Sequence, residues 1–271
     1  MKKLSVLLVF ILLLSTACSP TAGTNSDVIK VGVVGSNEEE IWNFVKEELR
    51  KEDIHVEVVV FTDYNQPNKA LDEGDIDLNA FQHYVFLEDY NAANNSNLQV
   101  IGETYLSPLG LYSNKVNNVE EIKEGDTIVV PNDPTNLGRA LKLLESAGLI
   151  TVNPDAGDLP VVEDILENPL GLKIEALDAS QTARSLQDVT GSVINGGMAV
   201  DAGLIPSEDA IFLESLTGSS KPYINVIAVK DEDVQNETYK RIVEVFRSDE
   251  NAQASSSSTT RSTPPTNCAT P

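Results

Sequence analysis

Histidine and cysteine are nearly missing from this chain, with two of each in 271 residues. The cysteines, Cys18 and Cys268, stand at opposite ends, so no disulfide framework organises the fold. A chain of this length buries a proper core without such staples. His55 and His83 leave little for a Ser-His or Cys-His arrangement, and they supply a transition-metal site poorly. The sequence has no P-loop, no G-x-G-x-x-G and no G-x-S-x-G, which argues against an enzyme. Asp75 and Asp77, two apart, could suggest metal ligation; a turn at Gly74-Asp75 leading into a short strand is the simpler reading. No cofactor is expected. Basic residues are also scarce, 19 against 42 acidic ones, for a net charge of −23. Such a chain repels phosphates, which excludes nucleic acid as a partner.

Long hydrophobic runs are absent but for one at the start. Leu4 to Leu14 is apolar, follows Lys2-Lys3 and ends at Ser15-Thr16-Ala17. A basic start, a short apolar run and small residues describe an export signal over 1–17. The run is short for a spanning helix. Cys18 directly after Thr16-Ala17 resembles a bacterial lipobox, although Ser15 stands where a large apolar residue is usual. Acylation of Cys18 is therefore expected, anchoring the chain firmly to the membrane on its extracytoplasmic face. The competing reading is ordinary signal cleavage with an unpaired thiol left exposed. Residues 18–27 are polar and read as a lipidated tether. Cleavage removes Lys2 and Lys3 but no acid, so the exported chain is more acidic still. At the other end, residues 251–271 are rich in Ser, Thr and Pro and are expected to be disordered, with Cys268 a free thiol.

Between these ends, strand and helix patterns alternate. Val28 to Val34 is β-branched and ends at Gly35; Glu38 to Lys51 places Ile41, Phe44, Val45 and Leu49 on one helical face. His55–Phe61 reads as a strand, and Gln66–Glu73 and Gln82–Ala92 as helices. Leu98–Ser113 reads as extended, with a break near Ser107-Pro108. A new cycle begins at Thr127–Val130, followed by a helix over Thr135–Ala147 that Gly148 ends. Strands at Leu172–Leu177, Ser192–Asn195, Ala210–Leu213 and Tyr223–Val229 follow, with helices at Gln181–Gln187 and Asp233–Arg247. Two such cycles predict an α/β protein of two lobes joined by two crossings. The expected division is 28–112 plus 222–250 for the first lobe and 113–221 for the second. This is a two-lobed, periplasmic-binding-protein layout, type II-like, with the ligand cleft between lobes.

Three stretches carry the chemistry: Tyr64 to Leu71 with Gly74 to His83, Pro131 to Leu141, and Val193 to Gly197 with Ala202-Gly203-Leu204. In the second, Asp133 suits an N-cap and Pro134 the first helical position. Asn136 and Arg139 then share one face a turn apart. A helix N-terminus, an amide and a guanidinium converging on one spot make a carboxylate site. The plainer alternative for Arg139 is a surface salt bridge to a nearby acid.

These stretches, read as QPNKAL, GDIDLNAFQH, NDPTNLGRAL and DAGL, resemble the methionine-binding lipoproteins of ABC importers, the NlpA family. The resemblance runs from about Val28 to Arg247. It implies a monomer that captures methionine or a related small molecule and serves ABC permease and ATPase subunits. It also implies that Tyr64, Phe81, His83 and Phe86 wall the ligand side chain, where rings flanking a thioether gain sulfur contacts. Phe86 and His83 could instead belong to the core. Asn195 and Asn225, polar residues at predicted strands, would hold the amino and carboxylate groups; otherwise they cap local backbone. The resemblance departs at Gly196-Gly197-Met198, where the family carries a bulkier polar or aromatic residue, and again near Asn251. Other readings are a binding protein for another amino acid, a dipeptide or a metal ion, and a surface adhesin or antigen.

Overall fold

The computed structural model describes residues 28–215, 218–248 and 251. The calls on residues 1–17, on Cys18 and its tether up to residue 27, and on residues 252–271 lie outside these.

The elements run β1 (Ile29–Val34), α1 (Ser36–Arg50), β2 (Val56–Phe61), α2 (Pro67–Glu73), β3 (Leu78–His83), α3 (Tyr84–Asn94) and β4 (Gln99–Leu106). There follow β5 (Leu109–Tyr112), β6 (Thr127–Pro131), α4 (Pro134–Ser146), β7 (Thr151–Val152), β8 (Ile165–Glu167), β9 (Lys173–Leu177) and α5 (Ala179–Ser185). The chain ends with β10 (Gly191–Asn195), α6 (Gly196–Asp201), α7 (Pro206–Asp209), β11 (Ala210–Leu213), β12 (Ile224–Val229) and α8 (Glu237–Phe246).

Two five-stranded sheets form, in the orders β2-β1-β3-β12-β4 and β11-β5-β10-β6-β9. Each mixes parallel β-α pairs with antiparallel returns: β1 runs parallel to β2 and β3, while β12 runs antiparallel to β3 and β4. The fold is therefore the expected α/β one with two lobes. The chain passes between sheets at Ser107-Pro108, so Leu109–Tyr112 pairs with β10 and β11 of the second sheet. It returns through the segment between β11 and β12.

Helices cover both faces, which explains the unbroken apolar runs of the central strands. Side chains alternate across a strand. On β12, Ile227 and Val229 enter a core with Trp42, Val45 and Leu49 of α1 and Ile242, Val243 and Phe246 of α8. Val226 and Ala228 enter the opposite one, with Leu71 and Leu87. Trp42 stacks on Phe246, with ring centroids 5.0 Å apart. Each fully buried aliphatic side chain of this kind contributes about 1.5–3 kcal/mol. In the second lobe α4 lays Ala140, Leu141, Leu143 and Leu144 on Leu109, Leu111, Ile128 and Val193.

Some local expectations shift. The helix expected from Gln82 begins at Tyr84, because Gln82 and His83 continue β3 and pair with Val226 and Asn225. The last helix starts at Glu237, capped by the Asn236 side chain, rather than at Asp233. The hairpin of β7 and β8 and the short helices α6 and α7 were not expected. Asn251, where the disordered tail was expected to begin, is buried and donates from Nδ2 to the Phe246 carbonyl at 2.6 Å.

Candidate functional site

In open α/β sheets, the carboxyl ends of parallel strands and the helix N-termini that follow them face the ligand crevice. Here both lobes turn those ends toward one cleft holding about 570 Å³ of unfilled space, mouth included. All eight residues picked from the sequence line it: Tyr64, Phe81, His83, Phe86, Asn136, Arg139, Asn195 and Asn225.

The start of α4 builds one wall. The Asp133 carboxylate caps the helix, accepting from the Asn136 backbone N–H at 2.9 Å and from the Thr135 hydroxyl at 2.9 Å. Burial pushes the Asp133 carboxyl up, against these hydrogen bonds. The Asn136 amide donates to both Asp133 oxygens at 3.0 Å. Its Oδ1 accepts from Asn195 Nδ2 at 2.8 Å and faces His83 Nε2 at 3.4 Å. Asn136 is thus a buried hub that ties the two lobes together and fixes its neighbours. Asn195 keeps a buried Oδ1 that has no hydrogen-bond partner among the described residues.

His83 caps α3: its Nδ1 accepts from the Phe86 N–H at 3.1 Å. That bond requires an unprotonated Nδ1, so the proton of the neutral ring sits on Nε2, toward Asn136. Burial, helped by the Arg139 charge, lowers the His83 pKa to about 3.

Arg139 is only 4% exposed and is held on three sides. Its Nε donates to Glu214 Oε1 at 2.9 Å and its Nη2 to Glu214 Oε2 at 2.5 Å, a two-point ion pair. Nη2 also donates to the Ser107 carbonyl at 2.9 Å, and the guanidinium lies 4.4 Å from the Tyr223 ring centroid. Arg139 therefore does pair with an acid, but buried in the cleft lining rather than at the surface. The two-point pairing is made with Glu214, which leaves Nη1 without a hydrogen bond among the described residues.

The rings cluster beside this polar end. Phe81 lies 5.9 Å from Tyr64 and 5.7 Å from Phe86, centroid to centroid, and Tyr64 meets Phe86 edge-on at 6.2 Å. Burial, then the Asp133 charge, raises the Tyr64 phenol.

Sequence reasoning missed Glu38, Tyr105, Ser107, Met198 and Asp201, all of which line the cleft. The first turn of a helix that follows a parallel strand was the available signal for Glu38. Glu38 as a residue is 7% exposed, and burial with the neighbouring Asp201 charge raises its carboxyl pKa to about 8. Asp201, from the second lobe, caps α1 of the first: its Oδ1 accepts from the Ser36 hydroxyl at 2.8 Å and the Asn37 N–H at 2.9 Å. Gly35, at φ 86°, leaves room for that carboxylate, where a Cβ would collide with Asp201 Oδ2. Asn65 Nδ2 donates to Asp178 Oδ2 at 3.0 Å, again across the lobes. No group of three or more metal-ligating side chains occurs among the described residues.

A cleft between two α/β lobes, polar at one end and aromatic beside it, defines a two-lobed substrate-binding protein. The model of the NlpA lipoprotein family matches residues 29–265, and the chain belongs to that family. It is 40% identical over 245 residues to the probable D-methionine-binding lipoprotein MetQ of Vibrio cholerae, covering 90% of each chain. Among solved structures it is similar to protein PG110 of Staphylococcus aureus, at TM-score 0.82 and 48% identity over 84% of this chain and 90% of that one. A nutrient-binding protein of Burkholderia cenocepacia bound to methionine matches at TM-score 0.81 and 42% identity, over 85% of this chain and 96% of that one.

Proposed function

We propose that this chain captures methionine, or a close derivative, outside the membrane and delivers it to the permease of an ABC importer. The observation that carries this reading is the composition of the cleft lining just described. Arg139 Nη1, Asn195 Oδ1 and Asn225 offer donors and acceptors for a zwitterionic head, and Tyr64, Phe81 and Phe86 offer rings for an unbranched thioether. The ordered Asn136 and His83 set the orientation of that head. Of the relatives, one carries methionine in its name and another is a solved nutrient-binding protein bound to methionine.

A ligand touching both lobes stabilises the closed arrangement, and the permease reads that arrangement. The chain binds rather than transforms its ligand; ATP hydrolysis belongs to another subunit. It acts as a monomer, exported by residues 1–17 and held through acyl chains on Cys18 at the extracytoplasmic face of the membrane.

Calorimetric titration of ligand-free protein with L-methionine, D-methionine and norleucine tests the binding half. One-to-one binding of a methionine enantiomer, weakened in norleucine, is expected, since sulfur–ring contacts contribute about 0.3–1.5 kcal/mol each. Absence of methionine binding at millimolar concentration refutes it. For the anchor, Cys18→Ser should abolish palmitate labelling and free the protein from the membrane fraction.

A further inference from the structure

At the cleft mouth one lobe supplies a helix cap to the other. α1, in the first lobe, runs for 15 residues. The start of such a helix presents unpaired backbone N–H groups at the positive end of its dipole. The residue in the capping position is Gly35, which has no side chain to offer. By contrast Asp133, Asp178 and Asn236 each precede their own helix and cap it, on α4, α5 and α8. For α1 the carboxylate comes from Asp201, the last residue of α6 in the second lobe. Its Oδ1 accepts from the Asn37 N–H, the second of the helix, which is the bond a local cap makes. The Ser36 hydroxyl donates to the same oxygen.

The surroundings accommodate this distant cap. A Cβ on Gly35 would collide with Asp201 Oδ2, so the glycine that withholds a local cap also admits the carboxylate from across the cleft. Glu38, in the same turn, does not cancel the attraction. Burial, then the Asp201 charge, raises its pKa to about 8, so it is largely protonated at neutral pH. A second tie of the same kind runs from a first-lobe loop to a second-lobe cap: Asn65 Nδ2 donates to Asp178 Oδ2 at 3.0 Å. Such ties exist only while the lobes stand together. When hinge motion parts them, water replaces Asp201 and α1 loses its cap.

We propose that Asp201 is an interlobe latch: by capping α1 from the opposite lobe it favours the closed arrangement, and it retains a bound ligand through the lobes rather than by touching it. This rests on reading the cleft as one that closes on methionine. Asp201 is a positioning residue in this account. Its bonds to α1 form once the lobes meet, so they slow release and leave entry unchanged. Asp201 and Ser36 are both exposed, so replacing either leaves the two cores intact. Ser36 does not line the cleft, which makes it a probe of the latch that no cleft ligand contacts.

The test measures methionine affinity by calorimetry and release of labelled methionine by chase, on the full chain and on Asp201→Ala, Asp201→Asn and Ser36→Ala. Asp201→Ala should weaken binding about three- to ten-fold, the loss of one helix cap, with the change carried by faster release. Ser36→Ala should weaken it about two-fold in the same way. Asp201→Asn, whose amide oxygen caps as well as a carboxylate, should stay within about two-fold of wild type. If Asp201→Asn is as weak as Asp201→Ala while Ser36→Ala matches wild type, the Asp201 charge meets the ligand itself and the latch is overturned. A lower melting temperature for Asp201→Ala with unchanged release also overturns it, because the cap then serves only the helix. If wild type binds no methionine, the proposed function falls, and the latch is judged by hydrogen exchange without methionine. Exchange of the Asn37 amide at least about three-fold faster in Asp201→Ala, but not in Asp201→Asn, supports it; equal rates in all three refute it.

Discussion

Replacing Arg139 tests the polar end most directly, because the side chain has a structural duty and a proposed binding duty that can be separated. The guanidinium is 4% exposed, and Glu214, at 16%, depends on it for two of its hydrogen bonds. In Arg139→Ala the Glu214 carboxylate keeps, among the described residues, only the Leu109 N–H, at 3.0 Å. Removing one partner of a buried pair costs about 3–5 kcal/mol. At roughly 2–4 °C per kcal/mol for a chain of this size, the melting temperature falls by about 6–20 °C. The double variant Arg139→Met with Glu214→Gln removes the stranded charge, keeps an acceptor for Leu109 and recovers most of the stability. Methionine affinity behaves differently. It falls by at least about 2 kcal/mol in Arg139→Ala and stays low in the double variant, since Nη1 is gone from both. Thermal melts paired with calorimetry read the two effects on the same samples. If affinity returns together with stability, Arg139 only props the wall, and the carboxylate site lies elsewhere.

Three further outcomes follow from the same geometry. The His83 pKa, lowered to about 3 from 6.5, means that the folded state refuses a proton the unfolded chain takes. Stability is complete above about pH 6.5 and falls towards pH 3 by about 1.4 kcal/mol per pH unit; urea midpoints for wild type and His83→Gln with parallel pH slopes would contradict this. Glu38 has the opposite sign: with its pKa raised to about 8 from 4.5, ligand-free wild type loses stability relative to Glu38→Gln as pH climbs from 4.5 to 8, and melts across that range should converge at pH 4. Gly196→Ala drives a Cβ into Ser107 Oγ and to 2.9 Å from the Pro108 carbonyl, an overpacking cost of about 1–3 kcal/mol, whereas Gly197→Ala meets open space and leaves the denaturation midpoint near wild type; the reverse ranking would disprove the packing argument.

The layout of the fold was readable because its signals are local. β-branched runs such as Val31 to Val34, and helical faces such as Tyr239, Ile242, Val243 and Phe246, state their period within a few residues. What local pattern could not resolve was the boundary at Gln82-His83. Those residues follow a strand and precede a helix, and either state satisfies their own sequence. Pairing with β12, about 140 residues away, keeps them extended. Buried hydrogen bonds hold the same stretch: Asn68 and Gln82 exchange amide bonds at 2.6 Å, and Asn79 joins them at 2.8 Å. The crossing at Ser107-Pro108 was visible as a break; that Leu109–Tyr112 then joins the second sheet depended on β10 and β11.

For the cleft, residue type and position in the fold carried different information. Asn136 was expected to grip a carboxylate, and a capped helix start with an amide does suggest it. Yet Asp133, Asn195 and His83 already engage that amide, and two of these three come from strand ends far away in sequence. Glu38 shows the converse. It opens the run Glu38-Glu39-Glu40, and acids at a helix start suit the dipole and normally face water. Glu39 and Glu40 do so; Glu38 does not. The difference is where β1 ends. Because β1 lies between β2 and β3, its carboxyl end opens onto the middle of the cleft, and the first inward position of α1 becomes a wall residue. An acid that reads as solvated in one dimension is thereby left buried, without a donor among the described residues, in the lining of the cleft. Only a strand order known in advance could have separated it from its two neighbours.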